Sequence, residues 1–362
     1  MESLPSILKH ELHCLLNPLL QTTQNQVKIQ KVTPYLRERS EYEKYYFPKV
    51  VSIGPIHHPK GEERKKTWAS DYLKDKVGQI EDDAKQLLGK IWSQIKELKN
   101  LYAEDVVRCF FGDDDLLAWI LFVDGCASLH FMHKVGETEP SKLQALDRFV
   151  LQDLLLLENQ LPYKVLSILS RIDDDDDYAL RILINRFIET RGIVGQSQVQ
   201  INQPAHLLDA LITVIVKKEP TITKDIKQSH DDNSPPHKKQ KSSRRKKKET
   251  KFPSRNIQEI ITSSGIEIKK NEENLTSICF AGGTLYIPPF TVDEFTAQTF
   301  LNMIAFEMCP DNSNTNYEIS NYISFLHSLI DDADDVKALR NAGVLENHLG
   351  SDEEVAEIFN TV

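Results

Sequence analysis

Glycine and proline are scarce in this 362-residue chain, at 14 and 16, which excludes collagen-like and Gly/Pro-rich low-complexity architectures. The longest uninterrupted apolar run, Leu116 to Val123, has eight residues, whereas a membrane-spanning helix needs about 18. The amino end, Met1-Glu2-Ser3-Leu4-Pro5, has no basic region followed by an apolar stretch. No cleaved secretory signal is therefore expected, and synthesis is expected to begin in the cytosol. The five cysteines (Cys14, Cys109, Cys126, Cys279, Cys309) are odd in number, scattered and without a CxxC pair. That argues against a disulfide framework or a zinc module and predicts reduced, mostly buried thiols. Also missing are a Walker-type phosphate loop, a dinucleotide-binding glycine fingerprint and a nucleophile-elbow serine motif. The one sequon, Asn274-Leu275-Thr276, carries no weight without a secretory signal.

What is present suffices for a sizeable core. Hydrophobic residues make up 40% and aromatics 8%, and a chain near 300 residues buries roughly 75% of its unfolded surface. The length predicts one large or two moderate domains. Charge is uneven. The formal net of −10 contains a basic island from Lys238 to Lys251 with nine Lys/Arg and one Glu, which leaves −18 on the rest. An acidic body repels nucleic acid, while the island attracts phosphate, anionic lipid or an acidic receptor groove. The island lies in a Lys-, Ser-, Asp- and Pro-rich stretch, 217–256, that reads as a disordered basic linker. It separates a helical amino-terminal part, 28–216, from a carboxy-terminal part, 257–362.

In the first part, Leu73, Val77, Ile80, Ala84, Leu87, Ile91, Ile95 and Leu98 recur every three or four residues, the period of one long amphipathic helix. That stripe serves either core packing or an intermolecular seam. Leu116 to Phe131, Leu143 to Leu157 and Tyr163 to Ile172 read as further helices, with Pro162 forcing a new start. The second part opens with short strands at 266–268, Thr276 to Phe280 and Thr284 to Ile287, the last two joined by Ala281-Gly282-Gly283, a hairpin signal. Val50 to Ile53 is another β-branched run, able to join that hairpin and tie the halves together. Thr291 to Glu294 and Ser351 to Glu354 have capping-box spacing ahead of helices. The last helix reads as too short to stand alone, as in a chain cut before its natural end. The fold class is α+β, predominantly α-helical with a small antiparallel sheet or hairpin.

Two runs, Phe47-Pro48-Lys49-Val50-Val51-Ser52-Ile53-Gly54-Pro55-Ile56-His57-His58 and Asp153-Leu154-Leu155-Leu156-Leu157-Glu158-Asn159-Gln160-Leu161-Pro162, closely resemble the plant domain of unknown function 247 family. So do Leu285 to Pro289, Asn302 to Glu307 and Ala342 to Ala356, in the same order. The resemblance implies a mostly helical land-plant protein and, in typical members, a hydrophobic carboxy-terminal membrane anchor. It implies no established enzymatic activity, and for some grass members a recognition role in pollen self-incompatibility. This chain departs from the pattern by ending where the approach to the anchor would begin and by its basic central block.

The motif residues Gly54, His57, His58, Glu158, Asn159 and Gln160 are the candidate site, of unknown role. His57-His58 invites a metal or acid/base reading, but neighbours on an extended strand face opposite ways. A turn with one histidine capping backbone groups is preferred. Glu158-Asn159-Gln160 reads as satisfying backbone groups at a helix junction, with a catalytic carboxylate as the alternative. His10-Glu11-Leu12-His13 has its histidines three apart, not the four a zinc-protease helix needs. Asp173 to Asp177 and the Asp331, Asp332, Asp334, Asp335 group lack the Gly and Glu of a calcium loop and read as solvated loops or helix starts. No catalytic residue, metal site or cofactor is assigned.

Lys238, Lys239, Lys241, Arg244, Arg245, Lys246, Lys247 and Lys248 form a candidate targeting cluster. It fits an import receptor or an anionic membrane or nucleic-acid surface, or is merely solvated. Phosphorylation of Ser242 or Ser243 within it would subtract up to about two charges per site. The sequence shows no sequence-specific nucleic-acid module and leaves the protein partners unknown. The resulting expectation is a non-catalytic recognition or signalling protein, membrane-associated by resemblance. The alternatives are a soluble, truncated member imported into the nucleus, and a hydrolase-like enzyme using Glu158 with His57 or His58. Close approach of those groups in a pocket favours the enzyme, and wide separation sinks it.

Overall fold

The computed structural model describes residues 27–76, 80–110, 113–139, 142–170, 177–191, 203–216, 256–271, 277–312 and 316–362. After two helical turns, Pro34–Arg37 and Tyr42–Tyr45, come α1 (Glu62–Lys76) and α2 (Ile80–Ser93). Two more turns, Ile95–Lys99 and Glu104–Val107, lead to α3 (Asp114–Gly136), α4 (Ala145–Asp153), α5 (Tyr163–Ser170), α6 (Asp177–Glu189) and α7 (Leu207–Val216). The carboxy-terminal part holds α8 (Ile257–Ser264), β1 (Glu267–Lys270), β2 (Cys279–Ala281), β3 (Thr284–Ile287) and β4 (Phe290–Val292). It continues with α9 (Thr296–Glu307), α10 (Glu318–Leu329), α11 (Ala333–Asn341), β5 (Leu345–Asn347) and α12 (Asp352–Thr361).

The apolar run at 116–123 is the seed of α3. Asp113 caps its amino end by accepting the Leu116 N–H at 3.0 Å, and Asp114 and Asp115 face the positive end of the helix dipole. Leu117, Leu121, Val123, Cys126, Ala127, Leu129, Phe131 and Met132 are all buried and point around the whole circumference, as in a central helix. Each such large side chain contributes about 1.5–3 kcal/mol on burial. Helices α1, α2, α5 and α6 surround α3. A Cβ on Gly125 would lie 2.3 Å from Leu169 Cδ1 of α5, so glycine sets how closely those helices approach. Among the described residues α3 alone is long and apolar enough to cross a membrane, but 78% of its most apolar 18-residue stretch is buried inside the protein.

The expected single helix over 73–98 is instead α1, α2 and a turn, with Leu87, Ile91, Ile95 and Leu98 buried in the core of the same chain. The small sheet is mixed. β2 and β3 form the expected antiparallel hairpin, its Gly282 and Gly283 both at positive φ (58° and 82°), as a type I′ turn demands. β1, however, joins β3 in parallel, and β4 pairs with β5 in parallel. The capping box expected at Thr291 lies in β4. α9 starts five residues later, with Asp293 accepting from the Phe295 N–H and the Thr296 hydroxyl. Asp332 and Asp335 form a reciprocal capping box for α11, and Ser351 accepts the Glu354 N–H at α12.

Val50 to Ile53 does not enter the sheet: Val50, Val51 and Ile53 donate to side chains elsewhere in the chain and Ser52 to the backbone oxygen of Lys60. The two sequence halves are nevertheless joined. Asn302 of α9 accepts the Leu157 N–H at 2.8 Å and donates to Tyr45 O at 2.9 Å, Thr299 donates to Gln152 Oε1 at 3.1 Å, and Arg148 pairs with Glu294 at 2.9 Å. The buried apolar residues of both halves form one contiguous cluster. Of the described thiols Cys126 and Cys309 are buried, the latter donating to Ala305 O, and Cys279 on β2 is exposed, in keeping with mostly buried thiols. Cys14, His10 to His13, the sequon, Asp173 to Asp176 and the basic cluster Lys238 to Lys248 lie outside the described residues, as does the Cys109 side chain.

Candidate functional site

The motif runs 47–58 and 153–162 meet at the centre of the molecule, where both chains are irregular. Buried backbone outside helices and strands has no ladder to satisfy it and must find side-chain partners. Asp153, at the end of α4, supplies three of these. Its carboxylate accepts the N–H groups of Lys49, Val50 and Val51 at 2.7, 2.6 and 2.9 Å. Burial pushes the Asp153 carboxyl up from its ordinary pKa, against the pull of those bonds. Asn159 continues the clamp. Its Oδ1 accepts the Ile53 N–H at 2.6 Å, and its Nδ2 donates to Val51 O and Asp153 O at 3.1 and 2.8 Å. Gln160 closes its own loop by donating to Leu154 O and Leu156 O, and accepts the Leu208 N–H of α7 at 3.2 Å.

Glu158 is the hub of the other side. Its side chain is 0% exposed; Oε1 accepts the Val32 N–H at 2.7 Å, and Oε2 accepts from the Tyr42 hydroxyl and lies 2.9 Å from His57 Nε2. Arg37 approaches Oε1 at 3.5 Å from the surface. Burial raises the Glu158 pKa, but the contacts with His57, Tyr42 and Arg37 outweigh it, and the net position is below the ordinary glutamate value. His57 is therefore held against a carboxylate, and it stacks edge-on to Phe47 at 4.5 Å.

Behind this junction lies a second charged group that the motif did not reveal. Asp124 Oδ2 accepts the Gly54 N–H at 2.9 Å, and Oδ1 is 2.7 Å from Lys65 Nζ of α1, with both side chains buried. Burial lifts the Asp124 pKa to about 7 even beside the Lys65 ammonium. Gly54 sits at φ 73°, and a Cβ there would come within 2.6 Å of Gln160 O, so only glycine fits between the two motifs. His58 is separate from His57. It lies 3.9 Å from Glu62, half-buried, its pKa lowered first by desolvation and then by Lys65.

Of the residues singled out from sequence, Gly54, His57, Glu158, Asn159 and Gln160 thus gather in one place, while His58 faces away from them towards Glu62. Sequence reasoning missed Asp124, Lys65, Asp153, Tyr42, Arg37 and Asn302. The signal for two of them was available: a lone carboxylate inside an apolar helical run, as in Phe122-Val123-Asp124-Gly125, requires a buried partner. Among the described residues no group of three or more His, Cys, Asp or Glu side chains is arranged to hold a metal.

Comparison with known proteins gives the following. The family model DUF247, described as a plant protein of unknown function, matches residues 29–362. The chain is 28% identical over 341 residues to UPF0481 protein At3g47200 of Arabidopsis thaliana, covering 88% of this chain and 69% of that one. It is 30% identical over 100 residues to UPF0481 protein At3g02645 of the same plant, covering 27% of this chain and 18% of that one. No solved structure matches.

Proposed function

Because the chain belongs to the plant DUF247 family of unknown function, we propose that it acts as a non-catalytic recognition or signalling component. One observation carries the reading. The polar motif that would serve as a catalytic centre is engaged internally, Asn159, Gln160 and Glu158 Oε1 by backbone groups and Glu158 Oε2 by Tyr42 and His57, and lies in the interior, with the Glu158 and His57 side chains 0% and 6% exposed. Carboxylates and amides so engaged hold irregular segments in place, and their burial argues against a role in turnover. Meanwhile Trp92 and Trp119, 56% and 43% exposed, present aromatic surface of the kind enriched at protein interfaces.

A second reading has a specific observation behind it. His57 Nε2 and Glu158 Oε2 are 2.9 Å apart, the close approach a hydrolase would need, with the Tyr42 hydroxyl on the same carboxylate oxygen. The discriminating experiment is turnover of ester, amide, glycoside and phosphoester substrates by the purified chain and by a folded His57→Ala variant. Equal background rates support recognition. Turnover present in the parent and lost in His57→Ala, with an unchanged melting temperature, overturns it in favour of the enzyme.

Localisation is a separate proposal. The basic residues Lys238, Lys239, Lys241 and Arg244 to Lys248 are proposed to direct nuclear import, with attachment to an anionic membrane as the alternative. Imaging of the chain tagged at its amino end, beside a version with Arg244 to Lys248 changed to Ala, separates them. Nuclear signal lost in the variant supports import, and membrane signal in both assigns localisation to another part of the chain.

A further inference from the structure

The three-stranded sheet, in the order β1-β3-β2, has two edges of opposite character. β1 carries Glu267, Lys269 and Lys270 among its four residues. Charges of this kind keep a further strand from pairing there. The β2 edge has no such protection. From Ser277 to Thr284 there is neither a charged residue nor a proline, and Cys279, Phe280 and Ala281 are all exposed.

Strand alternation fixes which backbone groups that edge offers. Ala281 and Thr284 flank the two-residue turn and bond to each other, and the next such pair is Cys279 with Tyr286. The N–H and C=O of Phe280, and of Ile278 before it, therefore point away from β3, and no described residue takes them up. The side chains on that face are equally unfinished. An apolar row crosses the sheet through registered neighbours, from Ile268 of β1 to Leu285 of β3 to Phe280 of β2. Ile268 is buried, Leu285 half-buried and Phe280 60% exposed, so the row ends at the edge with its largest member uncovered.

We infer that the β2 edge pairs antiparallel with the β2 edge of a second copy of this chain. The edge is complementary to itself. With a two-fold axis at Cys279, Phe280 stands opposite the second copy's Ile278, and Ile278 opposite the second copy's Phe280. Both residues that offer free backbone groups then exchange N–H···O bonds with a residue that offers the same. The apolar row continues from Phe280 onto the second copy's Ile278, a favourable aromatic–aliphatic cross-strand pair. A second copy supplies that matching side chain in both directions, and the two sheets become one. This self-association goes beyond the recognition reading and does not depend on it.

Sedimentation velocity of the full chain under reducing conditions, from about 5 to about 300 µM, reads the association. The strand is short, so a reversible dimer is expected with a dissociation constant on the order of 100 µM, the weak end for a small contact. Phe280→Lys ends the apolar row with a charge and should weaken dimerisation at least about tenfold. Its melting temperature should match the parent, because the side chain is exposed in the monomer. Oxidised glutathione reads the register. Facing Cys279 residues form a non-hydrogen-bonded pair with Cα atoms about 4.5 Å apart, within reach of a disulfide. Two Cys279 thiols and one glutathione disulfide give one disulfide between the copies and two glutathione thiols. A covalent dimer is expected for the parent and not for Cys279→Ser, whose reversible dimer persists. The inference is overturned by a chain that stays monomeric to about 300 µM, by a dimer as strong in Phe280→Lys as in the parent, or by equal covalent dimer in the parent and Cys279→Ser.

Discussion

Replacing Glu158 with Ala tests the view that the motif is a structural junction. The substitution removes the acceptor of the Val32 N–H and of the Tyr42 hydroxyl and the counter-charge of Arg37. A buried donor left unsatisfied costs about 1–3 kcal/mol. Arg37, with its side chain 39% exposed, returns to solvent at little cost. The part-buried Tyr42 hydroxyl sits at the low end of that range, about 1 kcal/mol, and the vacated space adds about 1 kcal/mol, so the total expected is about 3–5 kcal/mol, in line with breaking a buried charged cluster. Glu158→Gln keeps one carbonyl oxygen for the Val32 N–H and should cost about 1–2 kcal/mol.

The pH dependence has a definite sign. The folded-state pKa of Glu158 lies below its ordinary value, so its charge stabilises the fold fully above the ordinary glutamate pKa of 4.5, and that contribution is lost as pH falls below it. Urea denaturation at pH 7 and at successively lower pH, for the parent and both variants, measures all of this. The gap between the parent and Glu158→Gln should be constant near neutrality and shrink in acid. A cost under about 0.5 kcal/mol for Glu158→Ala, the level of an ordinary surface change, would refute the reasoning.

The Lys65–Asp124 pair makes a second pH prediction. With a folded pKa of about 7 against an ordinary 3.8, Asp124 lowers stability progressively as pH rises between those values and no further above about 7. Lys65→Met pushes that carboxyl higher still, so its stability should keep falling above pH 7 where the parent is flat, and Lys65→Met/Asp124→Asn should recover part of the loss; parallel denaturation curves at pH 9 would sink the idea. Gly54→Ala combines a φ of 73° with a 2.6 Å approach to Gln160 O, and should cost about 3 kcal/mol or prevent soluble expression; a melting temperature within two degrees or so of the parent would contradict it. Asn302→Leu strips Leu157 N–H and Tyr45 O of their partner and should cost about 2–4 kcal/mol, read as a loss shared by circular dichroism and tryptophan fluorescence; a shift in only one signal would argue against coupling of the halves.

How much of this was legible in the sequence follows from the range over which each pattern acts. The α3 helix was readable because its signal is local: an eight-residue apolar run behind Asp113, an N-cap residue. The Gly282-Gly283 hairpin was readable for the same reason. The parallel pairing of β1 with β3 and of β4 with β5 was not, since strands of three or four residues carry no mark of the partner they choose. The interruption at Gln94, between α2 and the turn Ile95–Lys99, was invisible because the apolar stripe runs through it, from Ile91 to Ile95, at an unbroken helical interval. Glu158, Asn159 and Gln160 could be singled out as polar residues after four leucines, but their partners at Val32, Tyr42 and Ile53 are more than 100 positions away. Val50 to Ile53 misled because β-branched residues signal extended chain, and extended chain clamped by carboxylates has the same composition as a strand.

That last case bears on what the junction does. A run of extended backbone at the centre of a helical protein has neither a helical ladder nor a neighbouring strand, so each of its buried N–H groups needs an acceptor placed individually. Asp153 serves three such groups, Asn159 serves Ile53, Asp124 serves Gly54 and Glu158 serves Val32. These acceptors come from α3, from the end of α4 and from the loop after it, while Asn302 of α9 satisfies that same loop from the opposite side. An apolar side chain at any of these positions would pack yet leave a donor bare, so polar identity here follows from folding alone. A motif that folding demands is a poor guide to chemistry, which is why the proposed recognition role is placed on side chains the motif leaves free, such as the exposed Trp92 and Trp119.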